Sequence, residues 1–344
     1  MKILFSLIMQ VLLLNVAFAQ KPSAKVDAKK FFKDEPIVNM KISTDLKQFL
    51  SSKMKNGQKL RARVETEIDG KEINEPITIE ARGIMRKQIC NIPPLKVNFK
   101  STASPVLSSL GSLKLVNTCR DNKVGNEYLF KEYLIYKMYN LISDKSLRTR
   151  LLKLTYVDSS GKKNSLNTYG FLIEDMSVMA KRNQCVERFR SISHMELTER
   201  QQMARVAIFQ YMIGNLDWSV KGKHNVRLIV AKKDTNGISY PVPYDFDYAG
   251  LVDADYAVPP EDLGLQNVTE RLYRGFIRTP EELKVITDDF LKQKDNIYKL
   301  VRDFDLLPSG VRSQMITYLE PFFQLISKPS SIKREFIDNG RKIE

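Results

Sequence analysis

The chain is poor in the side chains that most often carry chemistry. Its 344 residues include two histidines, His194 and His224, widely separated along the sequence. That scarcity argues against imidazole-based metal centres and against Ser-His-Asp or Cys-His nucleophile systems. The three cysteines, Cys90, Cys119 and Cys185, are an odd set at spacings that match no zinc site. They allow one disulfide in an oxidising compartment but form no disulfide framework. The single tryptophan, Trp218, reads as a packing anchor beneath a loop rather than a ligand platform. Beyond the first nineteen residues no apolar run approaches the ~18 residues of a spanning helix, so no transmembrane anchor is expected. There is no arginine-rich tract, and the aromatics are not interleaved with a basic run, so nucleic acid is not an expected partner. Carboxylates, lysines and arginines are left to carry any chemistry.

What is present begins with an export signal. Met1-Lys2, an apolar run over 3–16 and small residues at Ala17 and Ala19 form the three regions of a cleavable signal peptide, with cleavage between Ala19 and Gln20. The mature protein is therefore expected in the periplasm or outside the cell. A hydrophobic content of 43% excludes disorder, and the formal charge of +15 favours polyanionic partners, although the basic residues are spread among acids.

The patterning predicts a lysine-rich flexible leader over 20–35, then a β-rich part over 36–175 with one long helix at 126–142. Strands are expected at 60–68, 77–81, 95–99, 151–157 and 168–173, and Asp69-Gly70 makes a two-residue hairpin turn. From 176 to 330 the pattern turns helical, at 198–213 with Thr198 as cap, 280–300 and 309–326, around a small hairpin of strands 225–230 and 238–242. A basic tail occupies 331–344. The expected fold class is α+β, two-lobed, with a ligand cleft between the lobes.

Two acidic motifs bracket the small hairpin: Gly214-Asn215-Leu216-Asp217-Trp218, and Pro243-Tyr244-Asp245-Phe246-Asp247-Tyr248. Hairpin pairing should make Asn225 and Asp245 neighbours, with Asp217 on the loop before them. Carboxylates and an amide oxygen converging in this way suit Mg²⁺ or Mn²⁺. Paired carboxylates also serve glycoside hydrolysis as acid and base. The plainest alternative has Asp217 capping a turn while Asp245 and Asp247 pair with arginines.

An aspartate, an asparagine eight residues on, a hairpin and then Asp-Phe-Asp resemble the catalytic segment of the atypical kinases, and more narrowly the spore-coat CotH family of secretory kinases. Ala81-Arg82-Gly83, Pro93-Pro94-Leu95-Lys96-Val97, Leu113-Lys114-Leu115 and Tyr169-Gly170-Phe171-Leu172-Ile173-Glu174 fall in the family's order. The resemblance covers about residues 78–250. It implies a kinase-like fold with a β-rich N-lobe and a mainly helical C-lobe, using ATP with Mg²⁺ or Mn²⁺. By the same resemblance Asp217 is catalytic, and Asn225 and Asp245, or Asp247, hold metal. Lys96 contacts phosphates and pairs with Glu132 or Glu127, and Glu174 lies at the hinge. With no G-x-G-x-x-G loop, Gly83 and Arg86 would cover the phosphates. The implied activity is phosphoryl transfer from ATP to a protein or envelope-polymer hydroxyl. The rival readings are a catalytically inactive relative that binds a polyanion or partner protein, and a hydrolase or other transferase acting on an envelope polymer.

Overall fold

Period-two alternation in the first half of the chain resolves into a closed barrel. The computed structural model describes residues 28–32, 36–51, 57–83, 85–120, 122–189, 192 and 194–342. The expected signal over 1–19 and its cleavage point lie outside the described residues. Seven strands, β1 (Val38–Thr44), β2 (Lys59–Ile68), β3 (Lys71–Ala81), β4 (Leu95–Asn98), β5 (Ser112–Asn117), β6 (Thr149–Asp158) and β7 (Leu166–Ile173), close in the order β1-β2-β3-β4-β5-β7-β6. Neighbours are antiparallel except β6 and β1, which run parallel from Val38 opposite Leu152 to Thr44 opposite Asp158. Asp69 and Gly70 take φ of +53° and +72°, the left-handed pair that a two-residue hairpin requires, and set Ile68 opposite Lys71.

Four short helices, α1 (Ala28–Phe31), α2 (Leu46–Phe49), α3 (Met85–Ile89) and α4 (Pro105–Leu110), punctuate this region. The long helix α5 (Lys123–Ile142) starts at Asn122, whose side chain accepts from Gly125 N at 2.8 Å. After the barrel come α6 (Met176–Arg182), strand β8 (Cys185–Arg188), α7 (Arg200–Ile213) and the hairpin β9 (Val226–Ala231) with β10 (Ser239–Pro243). Strands β8, β9 and β10 form a three-stranded sheet. Helices α8 (Pro280–Arg302), α9 (Ser309–Ile326) and α10 (Pro329–Ile332) follow. Glu199 rather than Thr198 caps α7, accepting from Gln201 N and Gln202 N, while Thr198 bridges to Ser239.

The expected two-lobed, kinase-like arrangement is overturned by this topology. A β-rich lobe beside a mainly helical one would leave sheet edges and a boundary between two cores. Here the edge strands β1 and β6 pair with each other, and the second half carries a sheet of its own. Alternation also gives the barrel wall two destinations. Leu152, Leu154, Tyr156 and Leu172 fill the interior, whereas Leu151, Phe171 and Ile173 join one continuous apolar cluster with Leu134 of α5, Phe209 of α7, Phe290 of α8 and Phe322 of α9. The helices are therefore packed onto the barrel wall. The leader read as flexible is packed where described, with Phe31 and Phe32 buried, and Phe336 of the basic tail is buried too.

Candidate functional site

Glycines bring the two acidic loops together. Helix α7 ends on Gly214, at φ +65°, and Gly250 N donates to Gly214 O at 3.0 Å. The loops 214–218 and 245–250 thus lie back to back beneath Tyr318 of α9, whose ring carries the Arg271 guanidinium at 3.9 Å. On the far side Val226 pairs with Pro243, and Tyr244 N donates to Asn225 O at 3.0 Å, so the anticipated adjacency of Asn225 to the Asp245 loop is present. Asn225 Nδ2 donates to Asp217 Oδ2 at 2.9 Å and to Asp217 O at 2.8 Å. His224 Nε2 lies 2.6 Å from Asp217 Oδ1. Asn225 and Asp245 both have positive φ, +51° and +65°, an uncommon backbone conformation for residues other than glycine. Trp218 is buried beside Arg274, as expected of an anchor.

Behind these loops lies a buried charge cluster. Arg86 Nη1 is 3.3 Å from Glu132 Oε2 and 3.7 Å from Asp247 Oδ2, and Arg86 Nη2 donates to Asn117 O at 2.8 Å. Tyr256 Oη donates to Asp247 Oδ2 at 3.3 Å. One guanidinium cannot neutralise two buried carboxylates. Burial therefore pushes Asp247 up to about 6, with Asp245 adding to the rise against the pull of Arg86. Burial pushes Glu132 up to about 8 for the same reason. Glu132 Oε1 and Arg86 Nε are buried without hydrogen-bond partners.

A cleft of about 280 Å³ opens beside this cluster, between the barrel wall and the hairpin. Lys96 of β4 and Lys114 of β5 are cross-strand partners on its wall, with Arg82, Arg227, Glu187 and Tyr244 around them. Burial, with Arg82 nearby, pushes the Lys114 ammonium down to about 8, and its Nζ sits 4.5 Å from the Tyr244 ring centroid. Arg82 Nε is buried without a hydrogen-bond partner. A concentration of cations in which one donor lacks a partner suits a phosphate-bearing ligand.

The expected site residues divide accordingly. Asp217, Asn225, Asp245 and Asp247 come together, and Lys96 lines the cleft. Among the described residues Lys96 has no ion-pair partner, and Glu132 is held by Arg86 instead. Arg86 is itself committed to internal carboxylates, so it does not cover a phosphate. Gly83, at φ +83°, turns the chain between Arg82 and α3. The Glu174 carboxylate is engaged by Arg182 Nη2 at 2.9 Å and Arg148 N at 3.1 Å, so it contributes position rather than a free group. Sequence reasoning passed over Arg82 and Lys114, and read His224 as a surface histidine rather than a substrate contact, where the structure sets it on Asp217. Arg82 and Lys114 stand inside quoted motifs, but only the pairing of β4 with β5 shows that Lys114 shares the face of Lys96.

Among the described residues no group of three or more His, Cys, Asp or Glu side chains is arranged to hold a metal ion. Magnesium needs less, because one or two carboxylates suffice when water and substrate phosphates complete its shell. Asp245, Asp247 and the Asn225 amide oxygen fit that demand. Asn225 Nδ2 is turned to Asp217, which leaves Oδ1 available, and burial, with Asp245 nearby, raises Asp247 against the pull of Arg86. Comparison with protein-family models gives no match, and comparison with curated proteins gives none either. Among the described residues no helix is long and apolar enough to cross a membrane.

Proposed function

We propose that the chain is a phosphotransferase of the CotH-like kind, moving the γ-phosphoryl group of ATP to a hydroxyl of a protein or envelope polymer in the periplasm or outside the cell. The observation that carries this reading is the meeting of Asp217, Asn225 and the Asp245–Asp247 loop, whose chain neighbours Tyr244 and Arg227 line a cleft walled by Arg82, Lys96 and Lys114. Arg82 and Lys114 hold the phosphates, with Lys96 beside them. Asp217, fixed by His224 and Asn225, accepts the acceptor's proton as its oxygen bonds to phosphorus and the bond to ADP breaks. Asp245, Asp247 and Asn225 would hold a divalent cation, which supplies charge neutralisation at the phosphates. A disulfide between Cys90 and Cys119 supports an oxidising destination.

The test is thermal unfolding with and without ATP and Mn²⁺. A ligand at a hundred times its dissociation constant stabilises by about 2.7 kcal/mol. The reading expects that shift in the native protein and in Asp217→Ala, its loss in Asp245→Ala, and label transfer from ATP only in the native protein. Absence of any nucleotide shift would refute it.

A further inference from the structure

The surface just outside Asp217 points to the kind of acceptor. Residues 219–224 form a closed turn: Ser219 N donates to His224 O and His224 N to Ser219 O, both at 2.9 Å, and Gly222 N donates to Ser219 Oγ at 2.9 Å. One end of the turn places His224 on Asp217. Its tip carries Lys221 and Lys223, both exposed. Among the described residues neither has a carboxylate partner. Lys223 Nζ donates to Phe189 O at 2.9 Å, which ties the turn to Phe189, and that ring is 73% exposed. The turn that holds the candidate base thus carries two exposed lysines, one of them hydrogen-bonded to the backbone of a residue whose aromatic ring is exposed.

We infer that the acceptor is an acidic protein segment, with an apolar side chain near its hydroxyl. The lysines at 221 and 223 meet its carboxylates and Phe189 receives the apolar group. Charge complementarity favours acidic over basic segments, and the exposed ring favours a peptide over an anionic polymer that has no apolar side chains. This inference rests on the phosphotransferase reading of the same site.

The test is fluorescence anisotropy on the full chain at two salt concentrations. It compares a labelled serine peptide flanked by glutamates and a leucine with the same peptide carrying lysines in place of the glutamates, and with alginate as competitor. The acidic peptide should bind about tenfold more tightly than its basic counterpart, an advantage that shrinks at high salt. Lys221→Glu with Lys223→Glu should remove the preference, and Phe189→Ser should weaken the acidic peptide about threefold or more. Equal or tighter binding of the basic peptide would overturn the inference, as would full displacement by alginate with no effect of Phe189→Ser. The Mn²⁺–ATP unfolding shift, measured on the same samples, separates the failures. If the shift is present without peptide preference, the acceptor assignment alone falls; if the shift is absent, the underlying reading falls.

Discussion

Asp247→Asn should make the protein more stable at neutral pH. The native carboxyl is buried and shares Arg86 with Glu132, at 3.7 Å against 3.3 Å. Its folded-state value is raised from the ordinary 3.8 to about 6. The folded protein thus keeps a proton that the unfolded chain has released, so ionisation costs stability progressively as pH rises from about 4 to about 6, and the cost is complete above that. Two pH units correspond to about 3 kcal/mol, a sizeable part of the ~5–15 kcal/mol that holds a domain folded. Asparagine mimics the protonated acid: its oxygen still accepts from Tyr256, and Arg86 is left to Glu132 alone. Urea unfolding of both proteins between pH 4 and pH 8 checks this. The variant should match the native protein near pH 4 and exceed it by ~1–3 kcal/mol above pH 6.5. A variant that is less stable, or whose gain does not change with pH, would refute the charge-cluster account. Saturating Mn²⁺ and ATP should narrow the gap, because a cation offsets the same charge.

Three further outcomes are expected. Cys90→Ser with Cys119→Ser removes a cross-link spanning 29 residues and should cost about 3.5 kcal/mol of unfolding free energy in urea, matched by reduction of the native protein. Gly250→Ala should cost about 1–3 kcal/mol and lower the melting temperature, because its Cβ would stand 2.6 Å from Val268 O and 2.5 Å from Tyr318 Oη. Lys114, held down to about 8 by burial, should regain its proton when phosphates arrive. Titration of Mn²⁺–ATP at pH 8 in buffers of different ionisation enthalpy should then register uptake of about half a proton, lost in Lys114→Met.

Local chemistry was legible in the sequence; closure was not. Asp69-Gly70 announced its hairpin because a two-residue turn needs residues tolerant of positive φ. The late hairpin put Asn225 beside the Asp245 loop because strand pairing is a counting rule. Nothing in β1 or β6 specifies that Val38 will lie opposite Leu152, more than a hundred residues away, so the barrel could not be foreseen and the two-lobed plan took its place. The site divides in the same way. Asp217, Asn225, Asp245 and Asp247 were found because they are close in sequence to the hairpin. Arg86 was assigned to a ligand because its real partners, Glu132 and Asp247, lie on distant segments and no pattern reports who neutralises a buried acid. Lys114 was passed over because alternation assigns faces within a strand and leaves register between strands unstated.

The stacked glycines at 214 and 250 have a consequence for the order in which the chain folds as it is synthesised. The Tyr318 hydroxyl that covers them also donates to Thr269 O at 3.0 Å, so the last long helix seals the joint between the two acidic loops. A nascent chain emerging from the N-terminus can complete its barrel well before that helix exists. The joint between the two acidic loops is therefore completed only when nearly the whole polypeptide has been made.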